Sequence, residues 1–341
     1  MQECPPGSCA TWSLEIRAER RTDVSETPPR LSVIIPAHNA ANVLGEQLES
    51  LRAQEGAEHF EVLVCDNNSS DGTRAVANAH AGALDLRVVD AAGPSSASHA
   101  RNCGAAAARG SVLLFCDADD LVDAHWVREL SAPLLAGADV ISAGALHHER
   151  FNDTDVLAAY SIAPDPDPAS TPEFLTPEGY AGYLPTAPGG NFAIRRDRYL
   201  ALDGMDPSYP GGAEETDFAW RAQLSGTEVV TRPRAVVHYR LKHAPRALFR
   251  QQRIQHYARI LLWTRYRSSS MTGPSLKYSL IQIARQVPNL LRQQSRADRL
   301  RTAQILGGNV GALQGILAFR ILHRNPAPQS ITVTTSEVSA R

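Results

Sequence analysis

Long apolar runs are missing from this sequence, and none reaches the ~18 residues that a helix needs to span a bilayer. The first residues carry charges and prolines where a secretory signal peptide has its apolar region. No predicted strand is followed by G-x-G-x-x-G, which excludes a dinucleotide-binding dehydrogenase. The five cysteines lack the spacing of metal ligands, and their odd number favours free thiols in a reducing compartment. These absences predict a cytoplasmic protein.

Length and composition are ordinary for an α/β enzyme. The 341 residues, 43% of them hydrophobic, suffice for one large core and an extension. Residues 1–29 lack periodicity and contain four prolines, so we predict a mobile N-terminal tail. We divide the rest into a main domain over 30–240, a basic helical extension over 241–325 and a second mobile tail over 326–341.

Short apolar runs alternate with helical patterns through the first third of the chain. An uninterrupted apolar run between turn residues is typical of a strand that is buried on both faces. The runs lie at 31–35, 60–65, 86–89 and 112–116. Helical spacing separates them, so the series predicts a mostly parallel sheet flanked by helices, with its polar turns on one edge.

The fourth apolar run stops on three acids, Asp117, Asp119 and Asp120. Ligands of open α/β sheets bind just beyond the carboxyl ends of the strands, so these carboxylates lie where a site is expected. Three acids within four residues repel one another unless a cation lies between them, and oxygen ligands suit Mg²⁺ or Mn²⁺. The alternative is a solvated acidic turn that caps the helix starting near Asp123.

Several motifs together resemble family 2 glycosyltransferases of the GT-A fold. The resemblance covers roughly residues 30–239. Its motifs occur in the family's order at 31–39, 66–73, 100–102, 115–120, 189–196, 204–206 and 214–221.

The resemblance implies a donor made of a sugar on a nucleoside diphosphate. It also implies a Mn²⁺ or Mg²⁺ cofactor, because a divalent ion neutralises the charge that develops on the leaving diphosphate. The implied metal ligands are Asp119, Asp117 and His238. A lone histidine in an apolar run is more often a core or surface residue, so the case for His238 is the weakest of the three. The implied donor-binding residues are Pro36, Ala37, Asn39, Asp66, Asn67, Arg101, Asp117 and Ala118, with Asp66 on the pyrimidine base.

The acceptor hydroxyl loses a proton as it attacks, which requires a base opposite the leaving group. Relatives carry Glu-Asp where this chain has Glu214-Glu215, and a further acid that matches Asp217. The resemblance implies that Glu215 is the base of an inverting reaction, with Glu214 as the alternative. All three acids also suit the first turn of a helix without any catalytic role.

Charge divides the chain into two unlike parts. Residues 1–231 hold 15 Lys and Arg against 34 Asp and Glu, whereas residues 232–324 hold 18 against Asp298 alone. Basic helices, predicted to break at Pro288 and Gly307-Gly308, suit an anionic membrane surface, with Phe249 and Trp263 inserted. A helical cap on the core is an equally good interpretation. We expect no nucleic-acid partner, because no recognised nucleic-acid module accompanies the charge.

The sequence therefore predicts a metal-dependent inverting glycosyltransferase, acting on a cell-envelope glycan or a lipid-linked acceptor. Acceptor selection is expected in the proline-rich stretch 163–188. One alternative is a non-catalytic sugar-nucleotide-binding protein, which the intact Asp119 and Glu215 argue against. The other is a nucleotidyltransferase of related fold, which would carry a Gly-rich basic loop after its first strand.

Overall fold

The computed structural model describes residues 12–13, 29–167, 170–290, 292, 295–329 and 331–332. The strands are β1 (Trp12–Ser13), β2 (Leu31–Ala37), β3 (Phe60–Asp66), β4 (Asp85–Asp90), β5 (Val112–Cys116), β6 (Leu121–Val122), β7 (Val140–His147), β8 (Asn191–Arg195), β9 (Glu228–His238) and β10 (Ile331–Thr332). The helices are α1 (Leu44–Arg52), α2 (Thr73–His80), α3 (Ala97–Ala107), α4 (Trp126–Leu135), α5 (Thr154–Tyr160), α6 (Arg196–Ala201), α7 (Glu214–Leu224), α8 (Pro245–Arg265), α9 (Leu276–Leu290) and α10 (Arg296–Gly315), and a π-helical segment (Ile316–Ile321) continues α10.

The two predicted tails lie for the most part outside the described residues. Of the tail residues that are described, those of β1 and β10 form a short parallel pair. Residues 326–329 contact the main domain, because Arg265 donates to the carbonyl of Pro326 and the Gln329 amide donates to Asp206 Oδ1 at 3.1 Å. That part of the second tail is thus held against the core.

One eight-stranded sheet, in the order β4-β3-β2-β5-β8-β7-β9-β6, organises the main domain. The four predicted strands β2 to β5 are parallel, in a register that pairs Ile35 with Val64 and Ile34 with Phe115. Beyond β5 the sheet becomes mixed, because β8 runs antiparallel to both β5 and β7. The predicted α/β fold, a mostly parallel sheet flanked by helices, is confirmed.

The central strand β2 is buried on both faces, as its apolar run predicts. Val33 and Ile35 pack with α1 and α4, whereas Ile34 packs on the opposite side with Phe115 and Phe192. Because both faces of the sheet are covered, a ligand can reach the sheet only at the ends of its strands. The strands β2, β3 and β5 are parallel, so their polar carboxyl ends lie together on one side of the domain.

The C-terminal extension consists of α8, α9 and α10, and α8 packs along α10. A Cβ at Gly307 would lie 2.4 Å from the Phe249 carbonyl oxygen, and one at Gly311 would lie 2.1 Å from that of Arg253. The prediction that Gly307-Gly308 breaks the helix is wrong, because these glycines lie inside α10 and allow its close contact with α8. Pro288 likewise lies inside α9. No described helix is both long and apolar enough to cross a membrane.

An aromatic cluster joins the extension to the main domain. Trp220 of α7 is fully buried and lies 4.9 Å, centroid to centroid, from both Tyr183 and Tyr266. Leu261 and Leu262 of α8 are buried in the same cluster. The helix α8 therefore caps the core, as one of the two interpretations of the basic extension proposes.

Candidate active site

A cavity of about 500 Å³ opens at the edge where β2, β3 and β5 end. Its lining includes eight of the residues that the sequence predicts for donor or metal binding, namely Pro36, Ala37, Asn39, Asn67, Arg101, Asp117, Ala118 and Asp119. His38, Ser95 and Ser96 also line it. The cavity thus gathers residues from four separate parts of the chain, 36–43, 67, 95–101 and 117–119, around one opening.

The loops around the cavity are held in place by side chains from neighbouring strand ends. Asn39 has a positive φ of 51°, and its Oδ1 accepts from the Ser70 amide at 2.9 Å. Asn67 donates to the carbonyl of Ala91 at 2.6 Å and accepts from the Ser96 amide. These bonds fix the walls of the cavity before any ligand binds.

Asp66 lies beside the cavity, and its side chain is already engaged. It is 1% exposed, its Oδ2 accepts from Arg74 Nε, and its Oδ1 accepts from the Ser69 amide at 3.2 Å. The predicted contact between Asp66 and a pyrimidine base stays a prediction.

Arg101 reaches the cavity from α3 and pairs with Asp117, with 2.6 Å between Nη2 and Oδ1. Burial lowers the pKa of Arg101, but the charges of Asp117, Glu214 and Glu215 outweigh burial and raise it. Gly190 closes over the pair, since a Cβ there would lie 2.5 Å from Asp117 Oδ2. One buried guanidinium therefore offsets three carboxylates from two different elements.

The acidic strand end has more negative charge than its neighbours neutralise. Asp119 is 46% exposed at the cavity, and its Oδ2 lies 3.6 Å from Lys242 Nζ. Asp120 is 1% exposed, accepts from the Arg240 amide, and has an Oδ2 with no hydrogen bond in the described part of the chain. Burial, followed by the charges of Asp117 and Asp119, raises the pKa of Asp120 to about 8.

The donor set suits a hard divalent cation, although it does not form a complete cage. Among the described residues, no three His, Cys, Asp or Glu side chains are arranged to hold a metal ion together. Mg²⁺ commonly binds one or two carboxylates and completes its shell with water and phosphate oxygens. Asp119, exposed beside Asp117 and the underpaired Asp120, fits that mode of binding.

His238 is not brought to the acids, contrary to its predicted role as a metal ligand. It lines a second cavity of about 920 Å³ together with Leu121 and Arg150. Successive side chains of a strand point to opposite faces, so the next residue, Tyr239, takes the other side. Burial, followed by the charges of the three acids, raises the pKa of the Tyr239 hydroxyl.

Three residues after β9 are therefore site residues that the sequence did not reveal: Tyr239, Arg240 and Lys242. All three approach the acidic strand end. Tyr239 interacts electrostatically with the three acids, the Arg240 amide donates to Asp120, and Lys242 pairs with Asp119. In the sequence, only the alternation of side-chain direction along the strand that ends at His238 could have indicated these residues.

Glu214 and Glu215 begin α7 and differ in their surroundings. Glu214 Oε2 accepts from the Gly212 amide at 2.6 Å. The Glu215 carboxylate makes no hydrogen bond or ion pair with another residue in the part of the chain that the structure describes. Burial, followed by the charge of Glu214, raises the pKa of Glu215 to about 7. Glu215 accepts a hydrogen bond from its own backbone amide, and its pKa suits a group that accepts a proton near neutral pH.

Asp217, the third predicted catalytic acid, is fully engaged in the interior. Its Oδ1 accepts from the hydroxyls of Tyr209 at 3.1 Å and Tyr266 at 3.0 Å, and its Oδ2 accepts from Arg221 Nε at 2.8 Å. These contacts tie α7 to the end of α8, and the predicted catalytic role of Asp217 stays a prediction.

Comparisons with known proteins indicate the family and the fold. Residues 32–199 match the model of the family described as Glycosyl transferase family 2. The chain is 28% identical over 224 residues to a probable glycosyltransferase, YdaM of Bacillus subtilis, which covers 61% of this chain and 50% of that protein. The chain spans between 26% and 50% of the first three curated relatives that it matches.

Two solved structures share the fold. S. aureus TarS 1-349 in complex with UDP-GlcNAc has a TM-score of 0.52 at 16% identity, covering 86% of this chain and 92% of that one. Mannosyltransferase PcManGT from Pyrobaculum calidifontis, in complex with GDP-Man and Mn²⁺, has a TM-score of 0.50 at 18% identity, covering 90% and 80%. At such identities the similarity is one of fold.

Proposed function

Since this chain belongs to the family 2 glycosyltransferases and has their GT-A fold, we propose that it transfers a sugar from a nucleoside diphosphate to an acceptor hydroxyl with inversion. One observation carries the proposal. Arg101 pairs with Asp117 at the acidic strand end and interacts with Glu215 of α7. The acids proposed to act on the leaving group and the proposed base therefore belong to one cluster of charges. A nucleotidyltransferase would instead need a Gly-rich basic loop after β2, where this chain has Pro36-Ala37-His38-Asn39.

The proposed donor site is the cavity at the ends of β2, β3 and β5. Its volume of about 500 Å³ lies within the usual range of small-molecule sites. Pro36 and Ala37 contribute apolar side chains to its lining, and Asn67 and Ser96 contribute polar groups. Asp117 and Ala118 would lie at the ribose and diphosphate. The two structural neighbours hold different nucleotides, UDP and GDP, so the base of the donor is left to experiment.

The proposed cofactor is Mn²⁺ or Mg²⁺, held by Asp119 with Asp117 beside it. When bound, such an ion neutralises the charge that develops on the leaving diphosphate. Lys242, 3.6 Å from Asp119, supplies a second positive charge on the same side. Asp117 is oriented by Arg101, so its second oxygen is directed toward Gly190 and the cavity.

The proposed base is Glu215. It would accept the proton of the acceptor hydroxyl while the sugar's anomeric carbon is attacked from the side opposite the diphosphate. A single displacement of this kind inverts the anomeric configuration. Glu214 is less suited to this task, because its carboxylate already accepts from the Gly212 amide.

For the acceptor we propose a cell-envelope glycan or a lipid-linked molecule. TarS, which matches 30% of this chain at 31% identity, is named a poly(ribitol-phosphate) β-N-acetylglucosaminyltransferase. The stretch 163–188 remains the proposed acceptor-selecting segment, and Phe174 and Leu175 within it are half exposed. We further propose a cytoplasmic location, peripheral at the inner face of the membrane, which is supported by the strongly basic composition of residues 232–324.

The decisive test is a donor screen by thermal shift with uridine, guanosine and thymidine diphosphates, each with and without Mn²⁺. Stabilisation by one nucleotide, enhanced by the metal, is expected and would fix the donor class. Transfer assays with the matching sugar nucleotides follow. A nucleotide that binds while no sugar is transferred or released would favour the non-catalytic alternative, and the absence of any nucleotide effect would reject the donor site.

A further inference from the structure

The helix α9 presents its apolar side chains outward. Leu276, Leu280 and Val287 are 51%, 52% and 51% exposed, and they recur at the spacing of one helix face. The buried positions of this helix are instead the polar residues Ser279 and Gln286. An amphipathic helix that packs on a protein core normally buries its apolar face and exposes its polar face. In α9 the reverse holds, so its apolar face has no partner among the described residues.

The exposed apolar side chains are concentrated in one part of the sequence. Twelve large hydrophobic side chains are strongly exposed in the described residues, and nine of them belong to α9 or to residues 317–322 that follow α10. Single exposed apolar residues are common on proteins, whereas a group of this kind marks an interaction site.

Charge indicates the partner. No acid occurs between residues 240 and 297, and α9 itself carries the exposed cations Lys277 and Arg285. A second copy of this chain meeting α9 face to face would bring like charges together with no acid to offset them. An anionic bilayer accepts the apolar side chains and attracts the same cations.

We infer that α9 is a membrane-docking helix, which lies in the plane of an anionic bilayer with Leu276, Leu280 and Val287 inserted. The inference rests on the proposed peripheral location, and it assigns that location to α9. The sequence instead indicated Phe249 and Trp263 of α8, which are half-buried: Phe249 adjoins Gly307, and Trp263 is covered by Arg320 at 4.8 Å.

Co-sedimentation of the full chain with vesicles tests this inference. The vesicles are phosphatidylcholine alone or mixed with phosphatidylglycerol, at low and high salt. The variant Leu276→Gln/Leu280→Gln/Val287→Gln is expected to lower binding to the anionic vesicles at least about tenfold. Lys277→Gln/Arg285→Gln should lower it about fivefold for each charge removed and weaken its salt dependence. The control Leu224→Gln removes a side chain that is 63% exposed at the end of α7, and it should bind as the unaltered chain does.

Nucleotide-induced thermal shift, measured without vesicles, separates this inference from the proposed function. It should be equal in the unaltered chain and in both α9 variants, because these side chains are exposed and far in sequence from the cavity residues. Vesicle binding that is unchanged in the triple variant, or equal on phosphatidylcholine alone, would overturn the inference. A dimer in size-exclusion chromatography that the triple variant abolishes would assign α9 to a second copy instead.

Discussion

Arg101 Nη2 lies 2.6 Å from Asp117 Oδ1, and this pair connects a helix in the middle of the domain to the acidic end of β5. Arg101 is 4% exposed, so its charge acts where little water screens it. The same guanidinium is influenced by Glu214 and Glu215 of α7. The pair therefore links the proposed leaving-group side of the site to the proposed base.

Replacing Arg101 by methionine should destabilise the fold as well as donor binding. The change leaves Asp117, which is 28% exposed, without its partner, and the loss of a hydrogen bond between charged groups costs about 1.5–3 kcal/mol. Urea unfolding measures the loss. The control Arg128→Met removes an exposed partner of Glu129 and should cost less than about 1 kcal/mol. Equal losses in the two variants would show that the Arg101 pair has no special weight.

Replacing Asp119 by asparagine should abolish metal-dependent sugar transfer and leave the melting temperature close to that of the unaltered chain. The side chain is 46% exposed and contacts Lys242, so the fold does not depend on its charge. Titration calorimetry with Mn²⁺ and the nucleotide measures the lost metal site. Asp139→Asn, at an exposed pair with Arg198, is the matched control. Full transfer in excess chelator would exclude a metal ion at Asp119.

Replacing Glu215 by glutamine should slow transfer by about 10²- to 10⁴-fold, the contribution of a positioned base, with little change in donor affinity. Glu214→Gln should have a smaller effect. For the unaltered enzyme, the rate should fall as the pH drops through about 7, since Glu215 is then protonated. A larger effect of Glu214→Gln would make Glu214 the base.

The same Glu215→Gln variant should be more stable than the unaltered chain at pH 8. Burial raises the pKa of Glu215 from 4.5 in the unfolded chain to about 7 in the fold. The folded state therefore binds the extra proton, so ionisation destabilises the fold progressively from about pH 4.5 to pH 7 and fully above that range. The gain in melting temperature should vanish near pH 4. A gain that is independent of pH would indicate a packing effect.

Replacing Gly190 by alanine should weaken nucleotide and metal binding at least about tenfold, because the added Cβ would lie 2.5 Å from Asp117 Oδ2 and displace that carboxylate. Gly82→Ala is the matched control, since no atom lies within 4 Å of its added Cβ. Nucleotide titration compares the two. Unchanged affinity in Gly190→Ala would show that Asp117 can move without consequence.

The sheet and the cavity could be predicted because they depend on local patterns. An apolar run such as 112–116 specifies a strand buried on both faces, and parallel strands place their polar ends on one edge. The residues that follow those runs, Asn39, Asn67 and Asp117 among them, do meet around the cavity.

The direction of His238 could not be predicted, because it depends on an irregularity in the pairing of β7 and β9. Gly144 pairs with Arg232, but the next residue, Ala145, pairs with Val236. Three residues of β9 therefore have no partner on β7. Because this number is odd, each later side chain of β9 points to the face opposite the one that unbroken pairing would give. His238 consequently turns from the acids, and Tyr239 turns toward them.

The hydrogen bonds of Asp217 and the continuity of α10 could not be predicted for a different reason. Each depends on a partner that is distant in sequence. Tyr266, which caps the C-terminus of α8, contacts Asp217. The helix α8 also packs against Gly307, where a helix break was expected, and against Gly311. Helix propensity disfavours glycine by about 1 kcal/mol per residue, but close packing of two helices offsets this cost.

The aromatic cluster around Trp220 has a consequence for synthesis on the ribosome. Leu261, Leu262 and Tyr266 of this cluster are translated after the whole eight-stranded sheet. Gln329, which hydrogen-bonds Asp206 as Arg265 does, is translated later still. At about 5–20 residues per second, the nascent domain therefore waits several seconds with Trp220 of α7 uncovered. During that interval we expect the unfinished chain to be a chaperone substrate, and a message truncated after residue 240 should yield an aggregating product.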